Sequence, residues 1–180
     1  MERTSGTDRP RDHEHLRRQQ LVLETAGAGG WTARLEVALD PGIVRSRSVD
    51  VLLTRTRTRE IAVVEVWDWL DDIGAAVRSS DAKVETVRSR LAVEEPSTRP
   101  WTVAELWILR GTRRNRGLVA SFDAVFATRF PEPSNAWLMA LTCPDARMPS
   151  RPGLLWTDVT GTSLVTRRAR TTGQRNGPTG

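Results

Sequence analysis

The sequence predicts an α/β domain in which a mixed β-sheet lies between layers of helices, and three observations carry that reading. Two-residue alternation runs through Trp31–Leu39, with two further β-rich segments behind it; a helical period takes over at Leu70; and an apolar run, Val103–Leu109, precedes another helical stretch. An antiparallel meander that feeds a crossover helix and then a strand closes as a three-layer α-β-α unit.

Each element has its own signal. Asp12–Ala26 reads as a first helix with an uneven apolar face (Leu16, Gln20, Leu21, Leu23), stopped by Gly27-Ala28-Gly29-Gly30. In Trp31–Leu39 the residues Ala33, Leu35, Val37 and Leu39 fall on one side and Arg34, Glu36 and Ala38 on the other, as a strand requires. Asp40-Pro41-Gly42 is a turn. Ser48–Thr54 and Glu60–Trp67 are β-rich runs joined by the hairpin connection Arg55–Arg59. Leu70, Ile73, Val77, Val84, Val87 and Leu91 recur at helical spacing, and Asp71 and Asp72 suit the first turn of that helix. Glu94–Pro100 is a loop and Val103–Leu109 a strand. A helix over Arg113–Thr128 points Leu118, Val119, Phe122, Val125 and Phe126 at the core, and Ala136–Thr142 with Gly153–Val159 reads as a closing pair of strands. The expected order is α-β-β-β-α-β-α-β-β.

Composition narrows the function classes. The 180 residues suit one domain, expected over 12–165, with a flexible segment at 1–11 and a disordered Arg-rich tail at 166–180. No run of 18 apolar residues exists and the first eleven residues lack an apolar signal core, so a cytoplasmic protein without a membrane partner is expected. The single cysteine, Cys143, excludes a disulfide framework and a Cys-rich zinc site. The two histidines, His13 and His15, lie near the start and argue against a His-based metal site or triad in the core. Residues 12–165 carry 20 basic and 20 acidic side chains, so the net charge of +5 belongs mainly to the four arginines of the tail. That tail supplies either weak phosphate attraction or a solvated terminus. Serines without a base partner give nucleophilic hydrolysis no support, and Gly27–Gly30 lacks the Lys-Ser/Thr of a phosphate loop.

Two carboxylates interrupt apolar strands: Asp50 in Ser-Val-Asp-Val-Leu-Leu and Glu65 in Ile-Ala-Val-Val-Glu-Val-Trp. A charge there is costly unless it is paired, hydrogen-bonded or bound to metal. Hairpin-linked strands bring residues at this separation together, and two such carboxylates suit a hard cation such as Mg²⁺. The other reading pairs them with Arg45, Arg47 or Arg78. Glu14 and Glu24 on the first helix, and Glu36 on the first strand, are candidates for a third carboxylate.

Asp50, a 14-residue spacer and Glu65-Val66-Trp67 resemble the D…(D/E)-x-K signature of the PD-(D/E)xK nuclease superfamily. More narrowly, Trp31–Phe130 is similar to a domain found behind a helix-turn-helix in some bacterial transcriptional regulators. The matching blocks are Ser48-Val49-Asp50-Val51-Leu52, Val63-Val64-Glu65-Val66, Ser80-Asp81-Ala82-Lys83-Val84 and Thr112-Arg113-Arg114-Asn115-Arg116. The resemblance implies a restriction-endonuclease-like core, Mg²⁺ at Asp50 and Glu65, and a catalytic lysine two residues after Glu65. That position holds Trp67, whose indole supplies no positive charge. No helix-turn-helix segment precedes the domain in this sequence.

The first expectation is therefore a nuclease-like module that has lost catalysis and serves a binding or regulatory role toward nucleic acid or a regulator protein. The alternative is a Mg²⁺-dependent endonuclease using Asp50, Glu65 and a relocated Lys83, the only lysine in the chain. A protein-interaction scaffold is the third. Lys83 otherwise forms a salt bridge to Asp81, Glu85 or Asp50. Arg113, Arg114 and Arg116 are either phosphate contacts at a helix start or a solvated surface. Trp67 and Trp69 offer stacking for bases, although core filling accounts for most tryptophans.

Overall fold

The computed structural model describes residues 9–39, 42 and 47–166. Five helices and six strands follow in chain order: α1 (Arg9–Gly27), β1 (Thr32–Ala38), β2 (Ser48–Arg55), β3 (Glu60–Trp67), α2 (Ile73–Glu94), β4 (Thr102–Arg110), α3 (Arg113–Ser121), α4 (Asp123–Arg129), α5 (Ser134–Thr142), β5 (Gly153–Thr157) and β6 (Leu164–Val165). The strands form one mixed sheet in the order β1-β2-β3-β4-β5-β6. β1, β2 and β3 are antiparallel neighbours, β3 to β5 run parallel, and β6 returns antiparallel. The parallel pairs need crossovers, which α2 supplies between β3 and β4 and α3–α5 supply between β4 and β5. The expected α/β class and the opening order α-β-β-β-α-β are both present.

Strand alternation sorts the core onto two faces. Ala62, Val64, Val66, Ala104, Leu106, Ile108 and Leu155 pack with Val22 and Ala26 of α1 and Trp137 and Leu141 of α5. The intervening Ile61, Val63 and Val103 meet Val84 and Val87 of α2. Further along the same face, Trp107, Leu109, Leu154 and Trp156 meet Val119 of α3 and Phe126 of α4. Each fully buried aliphatic side chain contributes about 1.5–3 kcal/mol, so helices on both faces are what hold β3 and β4 at the centre. The start of α2 is fixed by Asp72, whose side chain accepts the Ala75 N–H at 2.8 Å.

Four expectations are corrected toward the C-terminal half. The helix over Arg113–Thr128 breaks at Phe122, giving α3 and α4. The Ser121 hydroxyl donates to the Gly117 carbonyl and competes with the helical ladder just before the break. Phe122 and Val125, expected in the core, are 47% and 48% exposed. Ala136–Thr142 is the helix α5, not a strand. Trp137, Ala140 and Leu141 are buried while Met139 is 53% exposed, which is helical spacing rather than alternation. The partner of β5 in the closing antiparallel pair is accordingly β6, and the last strand ends at Thr157 rather than Val159. Gly153 is required there: a Cβ at this position would lie 2.0 Å from Trp137 Cδ1.

At the N-terminus α1 begins at Arg9, so residues 9–11 are helical rather than part of a flexible segment. The rest of that segment, the turn residues Asp40 and Pro41, Arg45, and the tail from 167 onward lie outside the described residues. Among the described residues no helix is long and apolar enough to cross a membrane.

Candidate active site

The β2–β3 ladder runs from Arg55↔Glu60 to Val51↔Val64. That ladder ends one residue short of Asp50 and Glu65, and the β1–β2 register pairs Leu35 with Val51 and Val37 with Val49, leaving Glu36 and Asp50 between paired positions. Asp50 thus has Glu36 of β1 close on one side, and from β3 Glu65 feels its charge. Like charges on neighbouring strands repel. Glu36 adopts a left-handed φ of 46°, a conformation that costs about 1–3 kcal/mol for a residue with a side chain. The Asp50 carboxylate sits in the opening between β2 and β3, where Oδ2 accepts the Val66 N–H at 2.7 Å.

Cations approach this row from both helical layers. Lys83 of α2 donates Nζ to Glu65 Oε2 at 2.5 Å. Lys83 is the lysine that the alternative reading relocates to this site, and it pairs with Glu65 rather than with the Asp81, Glu85 or Asp50 of the salt-bridge reading. Trp67 does not fill the space between them: its ring packs on Trp107 at 5.2 Å between centroids, as part of the core. From α1, His15 Nε2 lies 3.9 Å from Asp50 Oδ2, and His15 Nδ1 lies 3.2 Å from Asp68 Oδ2. Arg18 pairs with Asp68 and donates to Glu14 Oε2 at 2.8 Å. Gln19 donates Nε2 to Glu36 Oε1 at 2.5 Å.

The electrostatics follow from burial and crowding. Glu65 is 3% exposed. Loss of solvent first, and the Asp50 charge second, push its carboxyl up to about 8, against the opposing pull of Lys83. Asp50 is likewise raised, by burial first, despite the Val66 N–H and the nearby Lys83 and His15. The hydrogen bond to Asp68 is the largest influence on His15 and raises it above the usual imidazole range. Glu65 Oε1 is buried without a hydrogen-bond partner. A buried carboxylate oxygen left unmatched beside a second raised carboxyl fits a divalent cation, so the Mg²⁺ expected at Asp50 and Glu65 suits this donor set.

The other candidates separate. Glu36 joins the row, whereas Glu14 is engaged by Arg18 and Arg110 and Glu24 by Gln20 at the surface. Arg114 pairs with Asp71 and lies over the Trp69 ring at 5.4 Å, so Trp69 is covered by a side chain of its own chain. Arg116 lies over Trp156 at 4.9 Å and donates to the Gly111 carbonyl. Arg113 and Arg78 are exposed.

His15, set aside in the sequence as a metal-site or triad residue, lies beside this row. The 19-residue α1 carries it across the sheet, and the ligand atoms of His15, Glu36 and Asp50 all lie within 4.8 Å of one another. Sequence reasoning also missed Gln19, Arg18 and Asp68. No sequence signal marked the helix residues: α1 buries Arg18 and Gln19 completely beside Val22 and Ala26, while Leu16 is 50% exposed. A helix that turns its polar side inward is serving other polar groups. No protein-family model, curated protein or solved structure matches this chain.

Proposed function

We propose that this protein is a divalent-metal-dependent phosphodiesterase acting on nucleic acid, with Asp50 and Glu65 as metal-holding carboxylates and Lys83 in the role of the lysine that Trp67 replaces. The observation that carries the reading is the 2.5 Å approach of Lys83 Nζ to Glu65, made by the chain's only lysine and delivered from α2 rather than β3. When bound, a divalent ion supplies charge stabilisation at a phosphodiester and lowers the pKa of water. Lys83 opposes the rise that burial imposes on Glu65 and would present a positive charge where negative charge develops on the phosphoryl oxygens. Asp50 is held by the Val66 N–H, which orients one of its oxygens within the strand opening. The resemblance of the four sequence blocks to PD-(D/E)xK nucleases, together with Arg113, Arg114 and Arg116 at the start of α3, supports nucleic acid as the substrate class.

Cleavage of plasmid, short duplex DNA and structured RNA in Mg²⁺ and in Mn²⁺ tests this. Wild-type protein is expected to cut at least one of them, Asp50→Asn to abolish cutting, and Lys83→Met to slow it by about 10²–10³-fold, the usual cost of losing one charge-stabilising donor. Bound metal with no cleavage of any of the three overturns catalysis. It would return the chain to a nuclease-like module for binding nucleic acid or a regulator protein, the role favoured by Trp67 at the motif position.

A further inference from the structure

We propose that His15, Glu36 and Asp50 form a nitrogen-containing metal position that takes a first-row transition ion, with Mn²⁺ bound more tightly than Mg²⁺. The position shares Asp50 with the centre described above but lies on the α1 side, and it stands or falls on binding rather than on cleavage.

Three features build it. The ligand atoms of His15, Glu36 and Asp50 fall within 4.8 Å of one another, on α1, β1 and β2. His15 directs Nδ1 at Asp68 Oδ2, 3.2 Å away. With that nitrogen donating, Nε2 keeps its lone pair toward Asp50 and Glu36; a carboxylate behind the imidazole is the arrangement that fixes metal-ligating histidines. Asp68 is in turn held by the fully buried Arg18. Finally, Gln19, with no exposed surface, aims its amide into the cluster. Its Nε2 lies 3.1 Å from His15 Nε2 and 2.5 Å from Glu36 Oε1, on the same lone pairs a cation would take, while its Oε1 is buried without a hydrogen-bond partner. Swinging the Gln19 amide turns that unmatched oxygen toward the cation.

The donor set decides the ion. Mg²⁺ prefers an all-oxygen octahedron and sheds water reluctantly. One imidazole with two carboxylates favours transition ions, which accept nitrogen more readily. Asp68 is a positioning residue here, acting through His15.

The test uses the full chain and Mn²⁺ as the probe. Isothermal titration is expected to show Mn²⁺ binding tighter than Mg²⁺, and pulsed electron paramagnetic resonance to show ¹⁴N modulation on the bound ion. His15→Gln should remove the modulation and weaken Mn²⁺ binding about 10–100-fold, and Asp68→Asn should weaken it about 10-fold. His13→Gln should change neither. Absence of ¹⁴N modulation in wild-type protein overturns the proposal without any variant having to fold, as does modulation that survives His15→Gln. Cleavage without a nitrogen signal would leave the phosphodiesterase standing and remove this site; a nitrogen signal without cleavage would do the reverse.

Discussion

The two ends of the β2–β3 ribbon both bury charge, and they treat it in opposite ways. At the hairpin end Arg55 donates Nε and Nη2 to Glu60 Oε2 at 2.8 and 2.6 Å, and the Thr58 hydroxyl adds a third bond to that oxygen at 2.6 Å. The other Glu60 oxygen accepts the Met148 N–H, Arg55 Nη1 reaches the carbonyls of Gly29 and Pro144, and Nη2 also donates to that of Ala146. The guanidinium also lies over Trp31 at 4.4 Å. At the opposite end Glu36, Asp50 and Glu65 crowd together on β1, β2 and β3, Glu65 with a buried unmatched oxygen, and Asp50 and Glu65 are both raised by burial. A charge buried for architecture is fully partnered. Acids crowded together and left short of partners cost stability, and that cost points to a role other than holding the fold.

Breaking the satisfied end should have the largest effect. Arg55→Met leaves Glu60 buried and unpaired and strips three carbonyls of a donor, so unfolding free energy should fall by about 3–5 kcal/mol. Urea unfolding followed by tryptophan fluorescence measures it. In the metal-free protein Glu65→Gln should be neutral or stabilising in the same assay, since it removes a carboxyl whose ionisation burial and Asp50 oppose in the folded state. Comparable losses from the two substitutions would erase the distinction.

The crowded end should also announce itself in pH dependence. Glu65 titrates near its ordinary 4.5 when unfolded and at about 8 when folded. Below the lower value both states are protonated and stability is intact. As pH climbs between the two values the unfolded chain loses its proton while the folded one keeps it, so stability declines, by at most about 1.4 kcal/mol per pH unit for one proton. Above about 8 the loss is complete. Urea midpoints in chelator from pH 5 to 8 should fall in wild-type protein and flatten in Glu65→Gln. A wild-type curve that rises over this range would contradict the assignment.

Legibility in the sequence tracks how local each signal was. The β3 and β4 strands announce themselves as short apolar runs and the α2 helix by period, and Asp50 and Glu65 stand out as charges within apolar runs. Lys83 was visible as the only lysine, but its partner depended on how α2 crosses β3. The Trp137–Leu141 run is apolar throughout, so period alone could not separate a short buried helix from a strand. Glu36 was assigned to the polar side of an alternating strand; its positive φ has no sequence signature. His15, Gln19 and Asp68 reach the site only because α1 and the segment after β3 converge there in three dimensions. That convergence is tertiary, and no window of sequence contains it.

The smallest effect sets the scale for both ends. Arg114 and Asp71 form an ion pair whose side chains are 60% and 68% exposed. Solvent screens such a pair and ordering its side chains costs entropy, so Arg114→Ala should shift unfolding free energy by less than about 0.5 kcal/mol. The same residue belongs to the α3 start proposed to meet phosphate, where a single lost contact lowers the slope of log affinity against log salt by about one. Duplex binding titrated over a range of salt therefore separates two uses of surface arginine that stability cannot tell apart. An unchanged slope with unchanged stability assigns Arg114 to the solvated surface, and leaves any electrostatic recognition of substrate to the groups around Asp50 and Lys83.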